Sequence, residues 1–282
     1  MKENARIASS QTDSIDSALS RVEAAVRDDK SEWDIQYFIE HRLRYSRTIQ
    51  RVTELCPTGG RILNIGSHFL HLSAALHLLG YETAGIDVAA FSEQPLIKQR
   101  AARFHVTNNV VDRIDDGTFL AGGDDTFELV LFTEIMEHIT FNPIRFWQRV
   151  YALMKPGSVI YITTPNSLTP WKMLHAFKNI VTMRGIGISM PEILHTVTYG
   201  HHWKEYSGKE IREYFALMSS DFHVEIRNFN LPMAPLPVSL KGVIRQAVHW
   251  AGSFVPSFRD QIDVVVRLKS KSLWRIQPPE FI

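Results

Sequence analysis

The tightest constraint on the fold is a change of hydrophobic period near residue 60. From Trp33 to Leu55, apolar residues recur at helical spacing, including Ile35, Phe38, Ile39, Leu43 and Ile49, until Pro57 and Gly59-Gly60 interrupt them. Arg61–Ile65 is then a short apolar run closed by Gly66, a helical stretch runs from about Phe69 to Leu79 and stops at Gly80, and Glu82–Ile86 is a second strand ending in Asp87. Strand, helix, strand at this length is a βαβ unit, whose right-handed crossover makes the two strands parallel. The alternation continues with a helix near Gln94 to Phe104, strands at about Phe127 to Phe132 and Ser158 to Thr163, and between them a helix ending at Lys155-Pro156-Gly157. The pattern predicts an α/β fold with a doubly wound, mostly parallel sheet.

Beyond Pro165 the texture loosens. A helix near Trp171 to Met183, a loop through Gly185 and Gly187 and an irregular run to Tyr206 read as a substrate-side insertion at about 166–206. Ser207 and Glu210 are spaced as a capping box. A strand at Phe222 to Arg227, an amphipathic helix carrying Leu240, Val243, Ile244, Ala247, Val248 and Ala251, and a strand at Gln261 to Leu268 follow, an antiparallel ending to a parallel sheet. Residues 1–31, rich in Ser, Asp, Arg and Ala, are expected to form a loose tail or weak helix outside the core, with 32–282 as one domain. A composition of 45% hydrophobic and 22% charged residues supports a substantial core and excludes disorder as the main state. A formal charge of +1 gives no global field for a polyanion, which makes nucleic acid a minor candidate. The lone Cys56, the lack of a charged-then-apolar leader and the lack of about 18 uninterrupted apolar residues lead to the expectation of a cytoplasmic protein with no transmembrane segment.

In an open parallel sheet, ligands sit beyond the carboxyl ends of the strands, which places the Gly66 turn and Asp87 at one crevice. An acid closing the second strand can accept both hydroxyls of an adenosine ribose. The turn reads Gly66-Ser67-His68-Phe69-Leu70 and lacks the G-x-G-x-x-G of a pyrophosphate cradle, so a phosphate-free adenosyl ligand suits it better. Leu63-Asn-Ile-Gly-Ser67, Gly85-Ile-Asp87, Phe127-Glu-Leu-Val130, Glu134-Ile-Met-Glu-His138, Leu153-Met-Lys-Pro-Gly157 and Ile162-Thr-Thr-Pro-Asn166 together resemble the ordered blocks of class I S-adenosylmethionine-dependent methyltransferases. The resemblance runs from about Arg61 to Phe215 and leans toward the group with ubiquinone-biosynthesis and polysaccharide-associated O-methyltransferases. It implies a Rossmann-like seven-stranded sheet with a C-terminal antiparallel strand, S-adenosyl-L-methionine as cofactor, and Gly66, Ser67, Asp87, Val88 and Thr133 around it. The chain departs from the family at Asn64, where an acid is usual, and at His68, where a second glycine is usual.

Glu134, Glu137 and His138 are spaced i, i+3, i+4, so a helical turn opening at Thr133 or its neighbour would project all three to one side. Two carboxylates and an imidazole suit Mg²⁺ or another divalent cation, and His201 or His202 offers a fourth donor. The set resembles that of metal-dependent RNA 2′-O-methyltransferases and ubiquinone-pathway enzymes, and aligning His-x-x-Glu-aromatic on His202-Trp-Lys-Glu-Tyr206 prefers His202. The metal set is then Glu134, Glu137, His138 and His202. Without a metal, His138 or His202 becomes the general base. The resemblance implies methylation of a hydroxyl on a saccharide, glycoconjugate, small polyol or phenol. An RNA 3′-terminal 2′-O-methyltransferase and a non-catalytic binding module are the alternatives. Trp171, Met173, Phe177, Met183 and Met190 form either a lid over the acceptor or plain core. The Leu240–Ala251 helix, with Lys241 and Arg245 on its other face, rests on a membrane, forms a dimer contact or, as the ordinary case, packs on the domain. Oligomeric state is left open.

Overall fold

The computed structural model describes residues 2–231 and 239–279. Among them, seven strands form one sheet: β1 (Arg61–Ile65), β2 (Glu82–Asp87), β3 (Thr107–Val110), β4 (Phe127–Thr133), β5 (Met154–Pro165), β6 (Phe222–Phe229) and β7 (Gln261–Leu268), in the order β3-β2-β1-β4-β5-β7-β6. The strands around β1 pair in parallel, with Ile65 beside Ile86 and Leu63 beside Val130, and β6 and β7 pair antiparallel with Phe222 beside Leu268. The Rossmann-like doubly wound sheet with a C-terminal antiparallel strand is therefore present. Strand order reverses between β1 and β4, and the carboxyl ends of strands at such a point are where open α/β sheets take ligands. β3 escaped sequence detection because Thr107-Asn-Asn-Val110 is a short edge strand with no apolar run.

The chain divides into two compact units, Met1–Leu131 with Arg149–Val159, and Phe132–Gln148 with Ile160–Ile282. In the first, the residues expected to be a loose tail or weak helix instead form α1 (Lys2–Asp28), followed by α2 (Glu32–Leu55). Ile15, Ala18, Leu19, Val22 and Val26 fall on one face of α1 and are almost completely buried. One small or branched apolar residue every three or four positions is enough for that stripe, although it barely raises the local hydrophobicity. α3 (His71–Leu78) and α5 (Pro95–Phe104) complete the crossovers, and the short α4 (Ala89–Ser92) follows β2.

A buried polar network ties these helices together. Arg100 donates to Asp29 and Asp34 (2.6 Å each) and to the Phe69 carbonyl (2.9 Å), while His71 Nε2 lies 2.9 Å from Asp34 Oδ1 and 3.0 Å from Arg100 Nη1, and its Nδ1 lies 3.2 Å from the Tyr45 hydroxyl. Burial pushes the Asp34 carboxyl up, but His71 and Arg100 outweigh it and hold it below the ordinary carboxylate value. His71 is 2% exposed, and burial, only partly opposed by Asp34, pushes it down to about 4. A histidine kept neutral in the fold but free to protonate when unfolded stabilises the protein above its ordinary value near 6.5. That stability is lost as pH falls from 6.5 toward 4, by about 1.4 kcal/mol per pH unit. Urea unfolding of the wild type is expected to weaken across this interval, and His71→Gln to flatten this part of the decline. An equal slope in the variant would remove His71 as the cause.

The second unit holds α7 (Pro170–Val181), α8 (Met190–His195), α9 (Gly208–Met218) and α10 (Leu240–Ser253), while α6 (Ile144–Leu153) spans the division. The capping box forms, Ser207 and Glu210 each accepting from the other's backbone N–H, and it aims Ile211 and Phe215 of α9 into the core. α7 meets α10 where Gly252 lies against Pro170, so close that a Cβ at 252 would come within 2.6 Å of Pro170 Cγ. The reading of Trp171 to Met190 as plain core is not borne out: α7 buries none of its residues, and Met173, Phe177, Met183 and Met190 are exposed. Val243 and Ile244 of α10, expected to pack on the domain, are exposed as well. Among the described residues no helix is long and apolar enough to cross a membrane.

Candidate functional site

In the first unit, the turn after β1 and the end of β2 are joined by backbone. Gly66 N–H and Ser67 N–H both donate to the Ile86 carbonyl (2.9 and 3.2 Å), His68 N–H donates to Asp87 Oδ2 (2.7 Å), and Val88 N–H donates to Asp87 Oδ1 (2.8 Å). Gly66, Ser67, Asp87 and Val88 are therefore brought together where the turn after β1 meets the end of β2. Gly66 sits at φ 71°, where a side chain would be strained. Gly85 makes room for the turn, since a Cβ there would lie 2.8 Å from Ser67 Oγ. Burial raises the Asp87 carboxyl above its ordinary value, against the two backbone donors. Each of its oxygens has used one acceptor position, and the side chain is only partly buried, so the second lone pairs remain for a vicinal diol. The buried Ser67 Oγ has no partner, a second polar atom waiting at the same turn. An adenosyl ribose fits this donor and acceptor set.

The departures from the family pattern have structural consequences. Asn64 is buried and donates to Ser73 Oγ (2.9 Å), so it ties β1 to α3. His68 (φ 47°) and Leu70 (φ 60°) hold left-handed conformations without being glycines, at about 1–2 kcal/mol each. Packing compensates: the His68 ring lies 4.1 Å from Phe69, 4.3 Å from Phe91 and 4.8 Å from Tyr37, centroid to centroid, and Leu70 is fully buried. Burial keeps the imidazole neutral by pushing His68 down to about 3. Thr133, the remaining cofactor candidate, closes β4 and falls in the second unit.

That unit carries the second cluster. Glu137, His138 and His202 each offer one donor atom, and the three atoms lie within 4.8 Å of one another. Glu137 and His138 come from a single 3₁₀ turn, Met136–His138, after β4. The helical turn expected from Thr133 does not form, because Glu134 takes a left-handed conformation (φ 56°) and its N–H donates to the Thr163 carbonyl (2.7 Å). Glu134 is accordingly outside the three-atom group. With its amide nitrogen turned inward, Gln261 donates to Glu134 Oε1 (3.2 Å) and to the Thr164 carbonyl (3.1 Å).

Both histidines present Nε2. His138 Nδ1 is 3.0 Å from the His201 carbonyl and His202 Nδ1 is 3.1 Å from Glu205 Oε1, which places the ring proton on Nδ1 in each case and leaves the Nε2 lone pair free. Their rings stand perpendicular at 4.8 Å. Glu137 is 1% exposed; its Oε2 accepts from Thr164 Oγ1 (2.9 Å), and its Oε1 is buried without a partner, 3.9 Å from His138 Nε2. Burial, and then the Glu134 carboxylate, push Glu137 up to about 7. Burial and His202 lower His138, whereas the bond to Glu205 raises His202. An orphaned carboxylate oxygen grouped with two imidazoles is a donor set that suits a divalent cation. His201, the other candidate, is buried with Nε2 on the Glu192 carbonyl (3.0 Å).

Sequence reasoning missed three supporting residues: Thr164, Glu205 and Lys172, which ion-pairs with Glu205 and donates to the Asn166 carbonyl (3.1 Å). Only Glu205 had a signal, standing three residues after His202 where it can orient that ring.

The methyltransferase-domain family matches residues 36–225. Among solved structures, a Thermotoga maritima S-adenosylmethionine-dependent methyltransferase is 16% identical, with 88% of this chain and 100% of that chain covered and a TM-score of 0.50. A Pyrococcus horikoshii protein is 14% identical, with 86% and 94% covered and a TM-score of 0.53. At these identities the likeness is one of fold. No curated protein matches the chain by sequence.

Proposed function

Since the chain belongs to the methyltransferase-domain family and is a class I S-adenosylmethionine-dependent methyltransferase, we propose that it methylates an acceptor hydroxyl with help from a divalent cation. The acceptor we infer is a saccharide, glycoconjugate, small polyol or phenol. The observation that carries this reading is the buried, unpartnered Glu137 Oε1, 3.9 Å from His138 Nε2, in a three-residue group completed by His202.

An alcohol is a poor nucleophile at neutral pH, so the protein must help remove its proton. A divalent ion held by Glu137, His138 and His202 would supply Lewis acidity that makes a hydroxyl easier to deprotonate. The chain's own residues set up that site. Thr164 fixes one Glu137 oxygen, the His201 carbonyl fixes the His138 ring, and Glu205 fixes the His202 ring, itself held by Lys172. In the first unit, Asp87 accepts ribose hydroxyls and the glycine at 66 leaves the backbone open to the ligand. Methyl transfer is an in-line displacement, so alignment and deprotonation are the tasks and no covalent enzyme intermediate is needed.

A second reading rests on His138 alone. Its lowered pKa keeps the imidazole neutral at working pH with Nε2 free, as a general base requires. Chelation separates the two. With a catechol or sugar-diol acceptor, removal of divalent ions is expected to reduce turnover at least tenfold and added Mg²⁺ or Mn²⁺ to restore it. Undiminished turnover after chelation would leave the general base.

A further inference from the structure

The helices of the second unit turn an apolar stripe outward. Along α7, Met173, Leu174, Phe177, Ile180 and Val181 recur as i, i+1, i+4, i+7 and i+8, which is one helical face, and all five are exposed. On α10, Val243, Ile244 and Trp250 share a face that continues into Phe254, and these too are exposed. The two helices pack together at Pro170 and Gly252, and the Arg245 guanidinium stacks over the Trp171 ring (6.0 Å). Between them in sequence, Met183 is 94% exposed and Leu194 76%. Single exposed apolar residues are ordinary, but two amphipathic helices in contact with both apolar faces outward form a surface that calls for a covering.

Charge identifies the covering. From Pro170 to Val197, leaving aside Lys172, which Glu205 holds, the chain carries Lys178 and Arg184 against the single acid Glu192, and Leu240–Ser253 carries Lys241 and Arg245 with no acid, in a chain whose formal net charge is only +1. An apolar stripe with Trp and Phe, flanked by basic residues almost free of acids, is the composition of a helix that lies in a lipid headgroup region. A second copy of the same surface would set these basic residues against one another.

We propose that α7 and α10, with the segment between Val181 and Met190, form a docking face for an anionic lipid surface, lying in the headgroup region without crossing it. The face is independent of the methyl-transfer chemistry, and its test reads no activity. The full chain is floated with vesicles of phosphatidylcholine mixed with phosphatidylglycerol and with vesicles of phosphatidylcholine alone. Binding is expected to be about tenfold or more tighter to the anionic vesicles and to weaken with salt. The variant Phe177→Asp/Phe254→Asp, at exposed positions, is expected to keep the wild-type circular dichroism and to lose vesicle binding. Lys178→Glu is expected to weaken binding to the anionic vesicles selectively. Failure of the wild type to float, or equal flotation of the folded double variant, would overturn the proposal. So would a wild-type dimer in sedimentation that the double variant converts to monomer, since a second copy would then be the covering.

Discussion

Replacing Asp87 with Ala is expected to weaken S-adenosylmethionine binding by at least about 100-fold, in line with the loss of charge-assisted hydrogen bonds to two hydroxyls at 1.5–3 kcal/mol each. The substitution acts twice. Asp87 would lose its grip on the ribose, and the His68 and Val88 N–H groups would lose the acceptor that holds the turn in place. His68 and Leu70 are already in left-handed conformations, so the turn has little reason to keep its shape once that anchor is gone. Calorimetric titration with S-adenosylmethionine measures the effect, and Asp87→Asn should fall between the two because an amide can still accept once. Wild-type affinity in Asp87→Ala would place the cofactor elsewhere.

For Glu137→Gln, activity and stability are expected to move in opposite directions. Turnover should fall about 100-fold or more, because the amide is a poor ligand and the two histidines alone leave the cation underbound. In metal-free buffer, however, the variant should melt at or above the wild-type temperature. A carboxylate that is 1% exposed with one orphaned oxygen costs the apo fold, and the isosteric amide carries no charge to desolvate. Added Mn²⁺ separates the proteins further: at 100 times its dissociation constant a ligand stabilises the form it binds by about 2.7 kcal/mol, and only the wild type should show the shift. A metal-dependent melting rise of equal size in both would remove Glu137 from the site.

How much of this was legible in the sequence varied with the physical signal behind each element. β1 was found at both ends, because its apolar run is bounded by Gly60 and Gly66 and differs in period from the helices around it. β3 was not found, since an edge strand of Thr and Asn residues has no buried face to advertise. α1 was underrated for a related reason: Ala18 and Ala25 count for little in hydropathy yet let the helix approach closely, and they are nearly fully buried. At the candidate site, His202 was separable from His201 only through the His-x-x-Glu spacing, and the Glu205 bond gives that spacing its meaning. Glu134 was drawn into the donor group by assuming a regular helical turn. A single left-handed residue broke the i, i+3, i+4 relation, and no propensity announces such a residue when it is a glutamate. Periodicity identified α10 as amphipathic and α7 as a helix with spaced aromatic and methionine residues, but it carries no information about which side is covered, so the outward direction of their apolar stripes emerged only in three dimensions.

The buried guanidinium of Arg100 also sets a limit on how far the chain can be shortened. Its side chain is 1% exposed, and its two carboxylate partners, Asp29 and Asp34, both precede the first residue of the 36–225 match. Cutting the protein back to the family-matched segment would leave a desolvated cation facing only neutral groups and a backbone carbonyl, a loss of about 3–5 kcal/mol when one partner of a buried pair disappears. That is a large share of what keeps an ordinary domain folded. α1, the turn at Asp29 and the start of α2, outside the matched segment though they are, behave as an internal counterion for the catalytic scaffold.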